Sequence, residues 1–258
     1  MFVKTLLLLM AANVLSAGHI GHPENRIIGG SNAAIETAPW QVFLQKRILF
    51  LPTAGCGGSL IRPDIVLTAG HCVRSNSILT KYTVRVGSSN KNKGGQLITV
   101  AKIVVHEYFH IDEKKNLFLN DIAVLRLSNP VKIGPSVQTI SLATDAPPAG
   151  AQALLTGWGR ILPLVKEAPI ILQGINVSIL SSVECNKFPW VNEGNICAGS
   201  YEKTACDGDS GGALVVNNQV VGVVSGGGEF CNTPTSHASV PYYHQWILGA
   251  IDKAYSLL

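Results

Sequence analysis

Apolar residues along this chain come in short runs, broken by Gly, Pro, Asn and Ser too often for long helices. Runs at 41–44, 59–61, 65–68, 83–86, 98–105, 122–127, 153–156, 175–180, 212–216 and 220–225 have the length and composition of β-strands. The pattern predicts many strands and few helices. Residues 241–258 depart from it. Ile247, Ile251 and Tyr255 recur at i, i+4, and Trp246 and Ala250 widen the same face, so a C-terminal amphipathic helix docked on the body is predicted. No internal repeat or low-complexity segment interrupts the chain.

The first residues follow another rule. Met1 to Ala17 combines Lys4, an apolar run from Leu6 to Ala12 and the small residues Ser16, Ala17 and Gly18, the pattern of a secretory signal peptide cut near 16–18. A membrane anchor would need roughly 20 apolar residues, so residues 1–17 predict a secreted, extracellular protein without a membrane partner. Composition fits a globular product: of 258 residues, 47% are hydrophobic and 14% charged. The formal charge of +4 is scattered and forms no basic run, so the sequence gives no support to nucleic-acid or polybasic membrane binding. Six cysteines in a secreted chain imply disulfides, whose pairing the spacing alone leaves open.

One stretch between the apolar runs carries candidate chemistry. Thr204-Ala205-Cys206-Asp207-Gly208-Asp209-Ser210-Gly211-Gly212-Ala213 holds a serine between glycines beside a carboxylate. It reads as a tight loop that presents one hydroxyl and leaves the Gly208 and Ser210 N–H groups free to face a developing negative charge. Alone such a loop is an ordinary turn. Leu67-Thr68-Ala69-Gly70-His71-Cys72 and Asn120-Asp121-Ile122-Ala123 change that reading. Taken in the order His71, Asp121, Ser210, with the Arg-Ile-Ile-Gly-Gly start at 26–30, Cys56-Gly-Gly-Ser-Leu-Ile and Gly157-Trp158-Gly159, the chain resembles the trypsin/chymotrypsin family of serine proteases from Ile27 to about Trp246.

That resemblance implies an all-β fold of two six-stranded antiparallel β-barrels, about 27–135 and 136–240, with a C-terminal α-helix at about 241–258. His71 and Asp121 would come from the first barrel and Ser210 from the second. It implies a Ser-His-Asp hydrolase of peptide bonds with His71 as base, Asp121 orienting it, Ser225 supporting Asp121, and Gly208 and Ser210 forming an oxyanion hole. Neither metal nor organic cofactor is required. Residues 88–95, where some relatives bind calcium through acidic side chains, contain Lys91 and Lys93 but no Asp or Glu. The implied disulfides are Cys56–Cys72, Cys185–Cys197 and Cys206–Cys231. Residues 18–26 would be an activation propeptide, cut after Arg26 by a trypsin-like protease so that the Ile27 ammonium pairs with Asp209. The partners implied are polypeptide substrates, that activator and protein inhibitors, with the protease itself a monomer. No separate module precedes Ile27, which points to digestion. A protease-like binding or regulatory protein without activity is the alternative, and the presence of all three triad residues stands against it.

By the same resemblance the primary pocket is read at Thr204, Gly227 and Thr235. Thr204 lacks the charge that would pair with Lys or Arg, Gly227 leaves the mouth open, and Thr235 fills part of the depth. Cleavage after apolar residues of medium size is expected. Gly226 stands where most relatives have Trp, His237 replaces a usual Tyr and Ala213 a usual Pro. A minority reading has Lys203 and His237 favouring an acidic substrate residue. Asn176-Val177-Ser178 fits an N-glycosylation acceptor. His106, His110 and His244 have no ligand-like spacing, so surface or core roles are expected of them.

Overall fold

A computed structural model describes residues 29–48, 51–75, 79–115, 117–161 and 167–256, with the backbone alone at 52–54. The signal peptide (1–17), the propeptide (18–26) and the activation residues Arg26 and Ile27 lie outside the described residues.

The first strand, β1 (Ser31–Asn32), is followed by β2 (Gln41–Ile48), β3 (Leu51–Arg62) and β4 (Ile65–Thr68). A single helical turn, α1 (Gly70–Val73), leads to β5 (Thr80–Val86) and β6 (Gln96–Val105). A hairpin of β7 (His110–Asp112) and β8 (Leu117–Leu119) precedes β9 (Ala123–Leu127). Strands β2-β3-β4-β9-β6-β5 close into an antiparallel barrel. Alternating buried and less buried residues along β5 show one face turned inward. Strands β4 and β9 are buried on nearly every residue, and for β9 the C-terminal helix covers the outer face.

The second half adds β10 (Ser141–Leu142), β11 (Gln152–Gly157), β12 (Gln173–Ser178), the short helix α2 (Ser182–Cys185), β13 (Asn195–Ala198), β14 (Ala213–Val216), β15 (Gln219–Gly226) and β16 (Thr235–Ser239). Its central path is six strands, β12-β11-β14-β15-β16-β13, with β1 added beside β12 and β10 beside β15. The path is not closed by a continuous ladder. Its two ends meet at a single Ile179–Ala198 bridge, flanked by Leu180 N–H to Cys197 O at 2.9 Å and Gly199 N–H to Ser178 O at 3.0 Å. Asn217 and Asn218 connect β14 to β15 with φ of 49° and 58°, the two-residue turn whose twist suits antiparallel strands.

Helix α3 (Val240–Tyr255) begins after Ser239, whose hydroxyl accepts from Tyr242 N–H, with a proline in its first turn. It follows the second sheet in sequence but docks on the first barrel. Ile247 and Ile251 are fully buried among barrel residues, each worth roughly 1.5–3 kcal/mol of apolar burial. Arg126 and Lys102 donate to the carbonyls of Ala254 and Lys253 at 3.1 Å, so barrel cations cap the helix's negative end. The helix therefore spans the join between the two halves. At the join the backbones touch: a Cβ on Gly57 would lie 2.8 Å from Gly212, and Gly57 N–H donates to Ser210 O at 2.7 Å.

Candidate active site

Cys72 in α1 is bonded to Cys56 of β3, which pins this one turn of helix to the first barrel and sets His71 on its rim. Asp121 lies just before β9 and is 1% exposed. Its Oδ1 accepts His71 N–H at 2.8 Å. Its Oδ2 receives both His71 Nδ1 and the Ser225 hydroxyl at 2.7 Å. A carboxylate only accepts, so Nδ1 carries the ring proton and Nε2 is left as the acceptor. Burial pulls the His71 pKa down, but the charge and hydrogen bond of Asp121 outweigh it, and the net shift is upward.

Ser210 lies on the loop between β13 and β14. Gly208 (φ 102°) and Gly211 (φ 80°) take conformations that favour glycine, and a side chain at Gly211 would strike Thr68 Oγ1. Cys206–Cys231 ties this loop to the segment after β15, while Cys185–Cys197 closes the loop holding α2, so all three implied pairings are present. Neither the Gly208 nor the Ser210 N–H meets an acceptor among the described residues. Ser210 and His71 line one pocket of about 280 Å³. Their side chains form no hydrogen bond here, a contact that commonly tightens only around substrate.

Behind the loop, Asp209 is fully buried. It accepts Gly159 N–H at 2.8 Å and Cys206 N–H at 3.0 Å. Burial raises its pKa to about 6 against the pull of those two bonds. Gly157 and Gly159 make the cradle, since a Cβ on either would run into its carboxylate. In the sequence these glycines mark a resemblance; in the structure they make room for a buried acid.

The pocket residues divide. Gly227 and Thr235 line it, and a Cβ on Gly227 would lie 2.9 Å from the Thr235 methyl. Thr204 is fully buried behind the wall, its hydroxyl donating to Thr233 O at 2.8 Å. Lys203 lines a different pocket, with its stem against Gly29. His237 is fully buried, and burial pushes its pKa down to about 3. Two carboxylates line the pocket instead: Glu229, and Asp207, which pairs with Arg160 at 2.9 Å. Sequence reading passed over both, although an acid three residues before the nucleophile is visible there. It also passed over Phe118, which lines the pocket from β8.

Ala213 opens β14 and is buried, Asn176 faces outward from β12, and His106 stacks on Trp246 at 4.8 Å. Among the described residues one His/Cys/Asp/Glu cluster has metal-like spacing, Cys56, His71 and Cys72, and both of its sulfurs are joined in a disulfide. In loop 88–95 the cation is internal. The Arg85 guanidinium donates to the carbonyls of Lys91 (3.1 Å), Asn92 (3.2 Å) and Gly94, and Ser88 Oγ donates to those of Asn90 and Lys93.

Comparison with known proteins agrees with this geometry. The Trypsin family model matches residues 27–247. Trypsin iota of Drosophila melanogaster is 41% identical over 236 residues, 88% of this chain and 89% of that protein. Trypsin of Sarcophaga bullata is 37% identical, covering 82% and 86%. Hypodermin-B of Hypoderma lineatum is 35% identical, covering 91% of each. The solved structure of neuropsin, a serine protease expressed in the limbic system of mouse brain, superposes with a TM-score of 0.76 at 30% identity, covering 86% of this chain and 99% of that one. With an imidazole held by a buried acid, a serine in the same cleft and this likeness along most of its length, the chain belongs to the trypsin family and is a serine endopeptidase.

Proposed function

We propose that the protein is a secreted endopeptidase made as a zymogen, and that it cleaves after apolar residues of medium size. One observation carries the catalytic part: His71 is oriented through Nδ1 by an Asp121 that Ser225 also holds, and its free Nε2 shares a cleft with Ser210. As Ser210 Oγ attacks the scissile carbonyl, His71 Nε2 takes its proton, and Asp121 stabilises the imidazolium. The unengaged N–H groups of Gly208 and Ser210 receive the oxyanion, each worth on the order of 100–1,000-fold in rate. The proton passes to the leaving amine, and water, activated by the same base, releases the acyl group.

Specificity follows from the pocket. Several relatives are named trypsins, yet here Thr204 is neutral and withdrawn behind the wall, so no buried carboxylate awaits Lys or Arg; of the two acids on the lining, both exposed, Asp207 is already paired with Arg160. The Thr235 methyl opposite Gly227 shortens the pocket and disfavours the largest aromatics. Acidic substrates lose support, because Lys203 lines another pocket, a His237 held neutral by burial carries no charge, and Asp207 and Glu229 repel them. Activation by a trypsin-like cut after Arg26 would free the Ile27 ammonium for Asp209. The test is fluorophosphonate labelling after that cut, followed by assays on peptides ending in Leu, Phe, Ala, Lys and Glu. Wild type should label and prefer Leu, and Ser210→Ala should not label. An unlabelled wild type would overturn the mechanism, and a Lys preference would overturn the pocket argument.

A further inference from the structure

We infer that the hollow between α1 and the segment joining β6 to β7 is a second binding site, which takes a small carboxylate carried on an apolar body. It lies outside the cleft, and its ligand is not a substrate of the reaction there.

The hollow holds about 410 Å³, more than the 280 Å³ of the catalytic pocket, and the two share no described residue. Its size falls within the range of small-molecule sites, about 300–1,000 Å³. Val73 is buried and Val105 and Phe109 are half-buried, whereas Arg74 and His110 are exposed, so the lining has an apolar floor and a polar rim.

The rim is a set of donors without acceptors. Burial holds the His106 pKa below its ordinary value, so the ring is neutral near pH 7 and carries one proton. Tyr108 N–H donates to His106 Nδ1 at 3.2 Å, which leaves that proton on Nε2, where it meets no acceptor among the described residues. Stacking on Trp246 and an edge contact with Tyr243 at 5.6 Å hold the ring in place. The Arg74 guanidinium pairs with no carboxylate among the described residues, and Lys46 Nζ, donating to the Arg74 carbonyl at 3.4 Å, adds a further cation on that side. No acid offsets them. The chain has no Asp or Glu from 65 to 106, Glu107 accepts from the Trp246 indole N–H at 2.8 Å, and Asp112 Oδ1 accepts the N–H groups of Lys114 and Lys115.

A carboxylate completes such a rim, because it only accepts and its bonds to donors are charge-assisted. The floor decides the rest of the ligand. An alkyl or aryl body covering Val73, Val105 and Phe109 takes apolar surface on both partners out of water, whereas an inorganic anion leaves the floor wet. Phe109 stands between this hollow and the catalytic pair: a Cβ on Gly70 would lie 3.2 Å from its ring and 3.3 Å from Asp121 Oδ1. Two sources share the required chemistry, a peptide whose C-terminal residue is apolar and a fatty acid.

Protein cut after Arg26 is titrated with acetyl-Ala-Leu and with hexanoate, each beside its uncharged amide, while the ring-proton NMR signals of His106 and His110 are followed. The acids should shift both signals saturably, and the amides should bind at least about tenfold more weakly. Arg74→Met should weaken the acids by about tenfold and His110→Gln by less, since the first removes a full charge and the second one donor. Both replaced side chains are exposed, and fluorophosphonate labelling equal to that of wild type shows that the variants fold. The tighter acid names the source, and equal affinity assigns the site to the shared carboxylate. Blocking Ser210 with the fluorophosphonate should leave affinity unchanged. The site is overturned by the lack of a saturable shift, by amides that bind as tightly as the acids, by affinity unchanged in both variants, or by binding lost when Ser210 is blocked. Protein that fails to label tells against the catalytic reading alone, and the titration of unlabelled protein then decides the site.

Discussion

His237 carries an imidazole where water does not reach. Its Nε2 lies 3.3 Å from Thr235 Oγ1, its Nδ1 has no partner, and burial lowers its pKa to about 3. In the unfolded chain the same group protonates near 6.5. Between those values the unfolded state binds more protons, so this contribution is fully present above about pH 6.5 and is lost as pH falls towards 3, at up to about 1.4 kcal/mol per unit. His237→Phe removes both the titration and the orphaned nitrogen. Its Tm should fall less steeply than that of wild type between pH 6.5 and 4, and parallel curves would reject the assignment. Ser225→Ala tests a different residue. It removes one of the donors to Asp121 Oδ2 but leaves both His71 bonds, so kcat should fall by about tenfold with KM little changed in steady-state assays. Ser225, like His71, Asp121 and Ser210, was legible in the sequence because its motif stands at a fixed place in the chain. Thr204 and Lys203 misled, because chain position says nothing about which way a side chain turns once its neighbours pack.

At the scale of elements, loop 88–95 shows a cationic side chain where a metal ion would otherwise gather carbonyl oxygens. Arg85 projects from β5 into the loop and binds carbonyls at three positions. Replacing it with methionine keeps the stem and removes the charge, leaving those carbonyls to water. Stability should fall by about 2 kcal/mol in urea titration, since hydrogen bonds to a charged group contribute about 1.5–3 kcal/mol. A chelator should leave the wild-type Tm unchanged. A chelator-induced drop in wild type would mean that a metal, not the guanidinium, holds the loop. Nothing in the order of residues announces this clip, because arginine in a strand reads as an ordinary surface position. Long apolar runs such as β6, β9 and β15 were legible because one face of each must be buried. Strands β13 and β16 were not: Asn195–Ala198 and Thr235–Ser239 are short, contain Cys, Ser and His, and become strands by pairing with each other and with β15. The ends of the second sheet meet through a single bridge rather than a continuous ladder, between stretches that the chain separates by a disulfide loop, so no local pattern marks where it closes.

For the whole molecule the question is what switches the cleft on, and Asp209 connects the nucleophile loop to that question. Among the described residues its carboxylate has two backbone donors and no cationic partner in contact, although Lys91 acts on it at longer range. Its folded pKa of about 6 lies above the ordinary 3.8, so the folded chain binds the extra proton. That makes burial of the ionised form unfavourable by on the order of 3 kcal/mol once pH exceeds 6, and the cost disappears as pH falls below about 4. An ammonium freed at Ile27 would reverse the sign by pairing with the carboxylate, and it remains protonated up to about pH 8. Cutting after Arg26 should therefore raise Tm more at pH 7 than at pH 4.5, where a protonated Asp209 has little to gain from a cation. In Asp209→Asn the cut should raise Tm equally little at both pH values, and fluorophosphonate labelling should be lost although His71, Asp121 and Ser210 are intact. A cut that stabilises wild type equally at both pH values, or an asparagine variant that labels normally, would show that the loop does not depend on this ion pair. The pH comparison separates the pair from mere loss of the propeptide, because losing residues 18–26 gives no reason for a difference that tracks the ionisation of one buried acid.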